Sequence, residues 1–243
     1  MSNLTFSTSD DNAATERFDA DECRRALDIL HDPGTVFEIR IPKTARHGVV
    51  SGYFDDPQKA VRAVATLSGR VPGIYTTSNP VNPDLLARTD NHLTNRSKRT
   101  TSDRDILRRR LLLIDLDPIR PAGISSTDRE HAAALTLAEE IREWLTEQGW
   151  PEPILADSGN GAHLLARIDQ PNDDNARGLV ERCLKALSWK FTDEVVEVDL
   201  TTFNAARIWK LYGTMACKGD STEERPHRLA RILKVPERTE VMA

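Results

Sequence analysis

Cysteine is scarce in this 243-residue chain: Cys23, Cys183 and Cys217 stand far apart, with no CxxC pair and no histidine at zinc-ligand spacing. That excludes a disulfide framework or a zinc knuckle, and the three read as buried thiols in a reducing cytoplasm. Aromatic residues make up 5% of the chain, too few for a surface built mainly on base stacking. No apolar run approaches the ~20 residues that span a bilayer, so no membrane partner is expected. The opening "MSNLTFSTSDDNAATERFDADE" is polar and acidic, unlike a secretory signal.

What is present is charge, unevenly spread. The net charge is −5, with 39% hydrophobic and 29% charged residues, the balance of a soluble globular protein. Residues 96–110, "RSKRTTSDRDILRRR", hold seven bases against two acids, and residues 206–238 hold eight against four. Two basic segments on an acidic chain suit a local anionic ligand such as phosphate or a nucleic-acid strand; a solvated charged face is the plainer alternative.

Residues 1–18 read as a disordered or appended arm, and 19–243 as one domain. Helices are predicted in "DADECRRALDILHD", capped by Asp19 or Asp21, and in "DDPQKAVRAVATLSGR", opened by Asp56 and Pro57. Two longer helices follow the caps at Ser126 or Thr127 and in "DDNARGLVERCLKALSWKF". Strands are predicted in "TVFEIRIP", "GVVSGYF", "GIYTTSNP", residues 111–117, "PILADSGNGAHLLARID" (with a glycine turn), "EVVEVDL" and "HRLARILKV". Helices alternating with hairpins point to an α+β fold with antiparallel or mixed sheets, in sub-units of about 19–105 and 106–243.

The chemistry gathers in "RRRLLLIDLDPIR", residues 108–120. Leu111–Ile114 reads as a strand buried on both faces under helices, and Asp115 and Asp117 share one face of it. Adjacent carboxylates repel unless a cation offsets them, and hard divalent ions are the usual remedy. Capping of the next loop is the structural alternative. "DSGNGAHLL" offers a turn whose glycines could expose backbone N–H groups to an anion, with His163 just beyond it. "VVEVDLTTFN" ends a strand in Asp199, which either supplies a third carboxylate for a two-metal site or caps its own loop. "NAARIWKLYGTMACKG" brings Arg207, Lys210 and Lys218 within twelve positions, suited to a triphosphate or simply to solvent.

In that order, apolar-DxD, SGxGxH, then apolar-Asp followed by an arginine, GT and a lysine resemble the archaeo-eukaryotic primase superfamily. The closer resemblance is to its primase-polymerase branch in phages, plasmids and mobile elements, over residues of about 35–235. The resemblance implies an N-terminal α/β unit and a C-terminal unit like an RNA-recognition motif, with the active site between them. It implies a template-dependent nucleotidyltransferase using two Mg²⁺ or Mn²⁺ ions on Asp115, Asp117 and Asp199, with no zinc. It places Ser158, Asn160, Gly161, His163, Arg207, Lys210 and Lys218 at an NTP or dNTP. "GIYTTSNPVNP" resembles the turn before the DxD in phage-type members, so Asn79 and Asn82 are expected at nucleic acid with Arg96, Lys98 and Arg99. The expected partners are a single-stranded template or primer-template and a separate or fused helicase, in a bacterial or phage-infected cytoplasm. A catalytically silent replication-initiator module and a DxD-dependent glycosyltransferase are the alternatives.

Overall fold

The apolar run before the two aspartates lies in an inner strand of the larger of two main sheets. The computed structural model of the chain describes residues 17–44, 46–237 and 241–242. The expected N-terminal arm lies outside them except for Arg17 and Phe18, and Phe18 bridges to Thr214. The chain runs α1 (Ala20–Leu30), β1 (Phe37–Thr44), β2 (Gly48–Phe54), α2 (Pro57–Ala65), β3 (Tyr75–Thr77) and β4 (Arg108–Pro118). It continues with α3 (Asp128–Glu147), β5 (Ile154–Asp157), β6 (Ala162–Pro171), α4 (Asp174–Phe191) and β7 (Val196–Val198). Four short strands close it: β8 (Ile208–Lys210), β9 (Met215–Ala216), β10 (Arg228–Leu229) and β11 (Arg231–Lys234).

Local chemistry explains most element boundaries. Asp19 caps α1 by accepting from the Glu22 N–H, and Asp56 caps α2 with Pro57 in the first turn. Thr127 and Glu130 form a reciprocal capping box on α3, which settles the choice against Ser126. Asp173 caps α4.

The strands pair antiparallel in the order β11-β5-β6-β4-β7 in one sheet and β2-β1-β3-β8 in the other. The mixed α/β content agrees with the expected α+β class. In β4, Leu112, Ile114 and Leu116 face one way, onto α3 and α4 through Ala138, Ile141 and Leu184. Leu111 and Leu113 face the other way, onto Ala26, Trp209 and Tyr212. The run is therefore buried on both faces, by α3 and α4 on one and by α1 together with the β8 segment on the other. The β8 segment is the part of that cover that the apolar pattern cannot distinguish from a helix. Because β8 pairs with β3 (Tyr75 opposite Lys210), the four-stranded sheet takes a strand from the far side of residue 105. Sheet membership thus does not follow a division of the chain at 105/106.

Candidate active site

Period-2 geometry carries Asp115 and Asp117 onto the same face as Leu111 and Leu113, one turn of the pleat beyond the apolar packing. There the two layers part into a cavity of about 260 Å³. Asp115 lies opposite His163 in the β4–β6 ladder, with His163 Nε2 3.5 Å from Asp115 Oδ1. The Asp199 N–H donates to the Asp115 carbonyl at 2.9 Å, which brings the end of β7 to the same place. Arg207, Lys210 and Lys218 line the cavity too, as do Ser158 and Asn160. Of the residues expected at metal or nucleotide, only Gly161 is set back from its wall.

The two β4 carboxylates differ in their electrostatics. Burial alone would raise Asp115, but His163, then Lys218 and Arg207, outweigh it and hold the carboxyl below its usual range. Burial and then the Asp115 charge push Asp117 up, although Lys218 and Arg120 oppose this. A hard divalent cation beside the pair would relieve that repulsion, so their donor chemistry fits one. Asp199 fits less directly: its Oδ1 accepts from the Thr201 N–H at 2.7 Å and its Oδ2 from the Thr201 hydroxyl at 2.9 Å. Among the described residues, no three His, Cys, Asp or Glu side chains cluster closely enough to hold a metal.

No family model matches the chain, and no curated protein matches it. Solved structures with a coarse likeness to the chain include these two. One is primase RepB′, with a TM-score of 0.46 and 11% identity, over 86% of this chain and 55% of that one. The chain thus spans about half the length of that structure. The other is the polymerase domain from Mycobacterium tuberculosis Ligase D in complex with DNA, with a TM-score of 0.45 and 14% identity, over 93% of this chain and 86% of that one.

The glycine turn is built differently from the expected anion cradle. The Gly159 N–H donates to Asp157 Oδ1 at 2.6 Å, and the Asn160 and Gly161 N–H groups donate to the Ser158 hydroxyl at 3.3 and 2.9 Å. The donors are used within the turn, so an incoming anion finds none of these three free. Asn160 Oδ1 accepts from the Ser126 N–H at 3.0 Å and ties the turn to the segment entering α3. The glycines serve close approach. A Cβ on Gly161 would overlap the Leu116 carbonyl oxygen, and Gly159 sits at φ +87° against Ala216 and Arg228.

Two other expectations change. Asn79 is 3% exposed, with its amide donating to the Ala205 carbonyl at 2.9 Å and its Oδ1 accepting from the Arg110 N–H at 2.7 Å. It clamps β4 to the 205 segment inside the fold and offers nothing to a strand outside. Asn82 caps the turn at Pro83–Arg88 by accepting from the Asp84 N–H. Arg96, Lys98 and Arg99, by contrast, are exposed. Their loop is laid along β2 by the Ser51–Thr94 bridge and by N–H donation from Arg96 and Ser97 to His47 and Val49.

Lys210 is buried, with Nζ donating to the Thr214 hydroxyl at 3.0 Å and the Met215 carbonyl at 2.7 Å. Burial lowers its pKa to about 7, so it is a weak cation at neutral pH. Arg207 donates from Nη2 to the Thr201 carbonyl and hydroxyl, while its buried Nε has no partner among the described residues. Tyr75, Arg120, Trp209 and Tyr212 were not anticipated as site residues. Tyr75 and Trp209 line the cavity, Arg120 reaches Asp117 at 3.5 Å, and Tyr212 touches His163. Only the close spacing of Trp209 and Tyr212 to Arg207 and Lys210 marked any of them.

Proposed function

We propose that this cavity is the active site of a template-dependent nucleotidyltransferase, a DNA primase, a DNA polymerase or both, serving phage or mobile-element replication. The observation that carries the reading is the meeting, in one cavity, of a same-face carboxylate pair with Arg207, Lys218 and His163. Their order along the chain is that of the primase-polymerase motifs.

In this reading Asp115, Asp117 and Asp199 would hold Mg²⁺ or Mn²⁺. Bound ions would supply charge for activating a 3′-hydroxyl and for neutralising the leaving pyrophosphate. Lys218 and Arg207, which line the cavity, bind the triphosphate. His163 adds its Nε2 to the same anion. Lys210 acts at one remove, holding the 214–215 backbone from which Lys218 follows. The exposed Arg96, Lys98 and Arg99 track the template phosphates. A helicase, separate or fused, would be the replication partner.

The test incubates the chain with single-stranded template, Mg²⁺ or Mn²⁺ and labelled nucleotides, with and without primer. Incorporation is expected, and the Asp115→Ala/Asp117→Ala double variant should abolish it while remaining folded, because relief of the repulsion at Asp117 offsets the loss of Asp115's attraction to His163 and Lys218. Near wild-type extension by that variant would end the reading. A second reading, a silent DNA-binding module, draws on the engagement of both Asp199 oxygens by Thr201. Template binding without incorporation under any metal would favour it.

A further inference from the structure

Behind His163 lies a chain of buried polar groups that the metal and phosphate contacts leave unexplained. Trp209 Nε1 is 2.9 Å from the Tyr212 hydroxyl, and that hydroxyl is 2.9 Å from His163 Nδ1. The exposures of Trp209, Tyr212 and His163 are 2%, 0% and 4%. The His163 and Trp209 rings also lie against each other, tilted by 37° with centroids 4.0 Å apart, so the indole packs on the imidazole as well as orienting the hydroxyl.

The donor inventory of this chain has one complete solution. An indole N–H can only donate, so the Tyr212 oxygen accepts from Trp209. The hydroxyl carries a single proton, and burial pushes the phenol well above its ordinary pKa, so that proton stays. Among the described residues its one acceptor is His163 Nδ1. If Nδ1 instead carried the ring proton, two donors would meet the Tyr212 oxygen and the hydroxyl proton would be left unpaired in a dry site. With Nδ1 accepting, the ring N–H lies at Nε2, on the side of Asp115 and the cavity.

We propose that Tyr212, itself oriented by Trp209, is a positioning residue that fixes the His163 tautomer and presents its Nε2–H to Asp115 and the bound nucleotide. The inference rests on the reading of His163 as a nucleotide ligand. It goes beyond that reading in naming what makes the imidazole a donor at that edge. The same arrangement fixes the ring plane, because the hydroxyl and the indole constrain two different features of it.

The test is ¹⁵N-histidine NMR of the full chain, with His163 assigned by loss of its signal in His163→Gln, and no nucleotide present. The wild type should show a protonated Nε2 and an unprotonated Nδ1. Tyr212→Phe, which removes only the hydroxyl, should shift His163 to a mixture of tautomers or to Nδ1–H. Its affinity for a non-hydrolysable nucleoside triphosphate should fall about tenfold, within the range of one lost charge-assisted hydrogen bond, with template affinity unchanged. Trp209→Phe frees the hydroxyl to accept from His163 and should give a partial shift, which keeps the proposal testable should Tyr212→Phe fold poorly. A wild-type Nδ1–H tautomer, or a tautomer unmoved by either variant, would overturn the proposal. A tautomer that shifts in a chain binding no nucleotide would sustain the role of Tyr212 and remove the nucleotide reading, so the two failures are separable.

Discussion

Replacing Gly161 with Ala tests whether the glycine turn serves packing or anion binding. The added Cβ would overlap the carbonyl oxygen of Leu116 and also meet Pro118 Cδ at 3.2 Å. The first obstacle is β4 backbone, which cannot rotate away as a flexible side chain would. Restoring ordinary contact requires the turn to move from β4 by roughly 1 Å, and overpacking of that kind costs about 1–3 kcal/mol. The displacement falls at the worst place for chemistry. Leu116 sits between Asp115 and Asp117, and His163 is two residues beyond Gly161, so the His163–Asp115 pair opens with the turn. A misplacement of about 1 Å can cost on the order of 100-fold in rate. Urea unfolding and nucleotide incorporation, measured on the same preparation, should therefore both deteriorate, with kcat falling more than KM rises. A variant of wild-type stability whose only defect is a raised nucleotide KM would refute this and restore the anion-cradle role.

Acid should destabilise the fold through His31, which is buried against Phe37 with Nε2 3.0 Å from the Thr76 hydroxyl. Burial lowers its pKa from 6.5 to about 3, so between those values the unfolded chain binds a proton that the folded chain refuses. The stability is present above pH 6.5 and is lost towards pH 3, by at most about 5 kcal/mol at about 1.4 kcal/mol per pH unit. Urea unfolding of wild type and His31→Gln from pH 7 to 4 checks this, and an equal pH slope in both would contradict it. Neutralising Arg96, Lys98 and Arg99 together should weaken DNA binding across sequences and flatten its salt dependence by about three charges' worth, leaving nucleotide KM unchanged. Filter binding between low and moderate salt reads both, and an unaltered slope would remove this loop from the interface. Asn79→Ala should cost about 1–3 kcal/mol of stability through the unpaired Ala205 and Arg110 groups, with template affinity per folded molecule unchanged.

The elements and the acid pair were legible in the chain because their causes are local. Asp19, Asp56, Thr127 and Asp173 cap helices through N–H groups two or three residues away. Asp115 and Asp117 share a face because successive residues of any strand alternate. Their gathering with His163, Asp199, Arg207 and Lys218 was legible only as an ordered set of motifs, whose spacings say nothing of distance in space. Tertiary structure alone decided how the polar groups are spent. Asn79 looked available until Ala205, 126 residues on, took its amide. The turn at 158–161 looked like a set of free donors until Ser158 and Asp157 accepted from them. Tyr212 carried no signal of its own, since its partner His163 lies 49 residues away on β6. Each buried donor must find an acceptor, and which acceptor it finds depends on what the packed layers bring beside it.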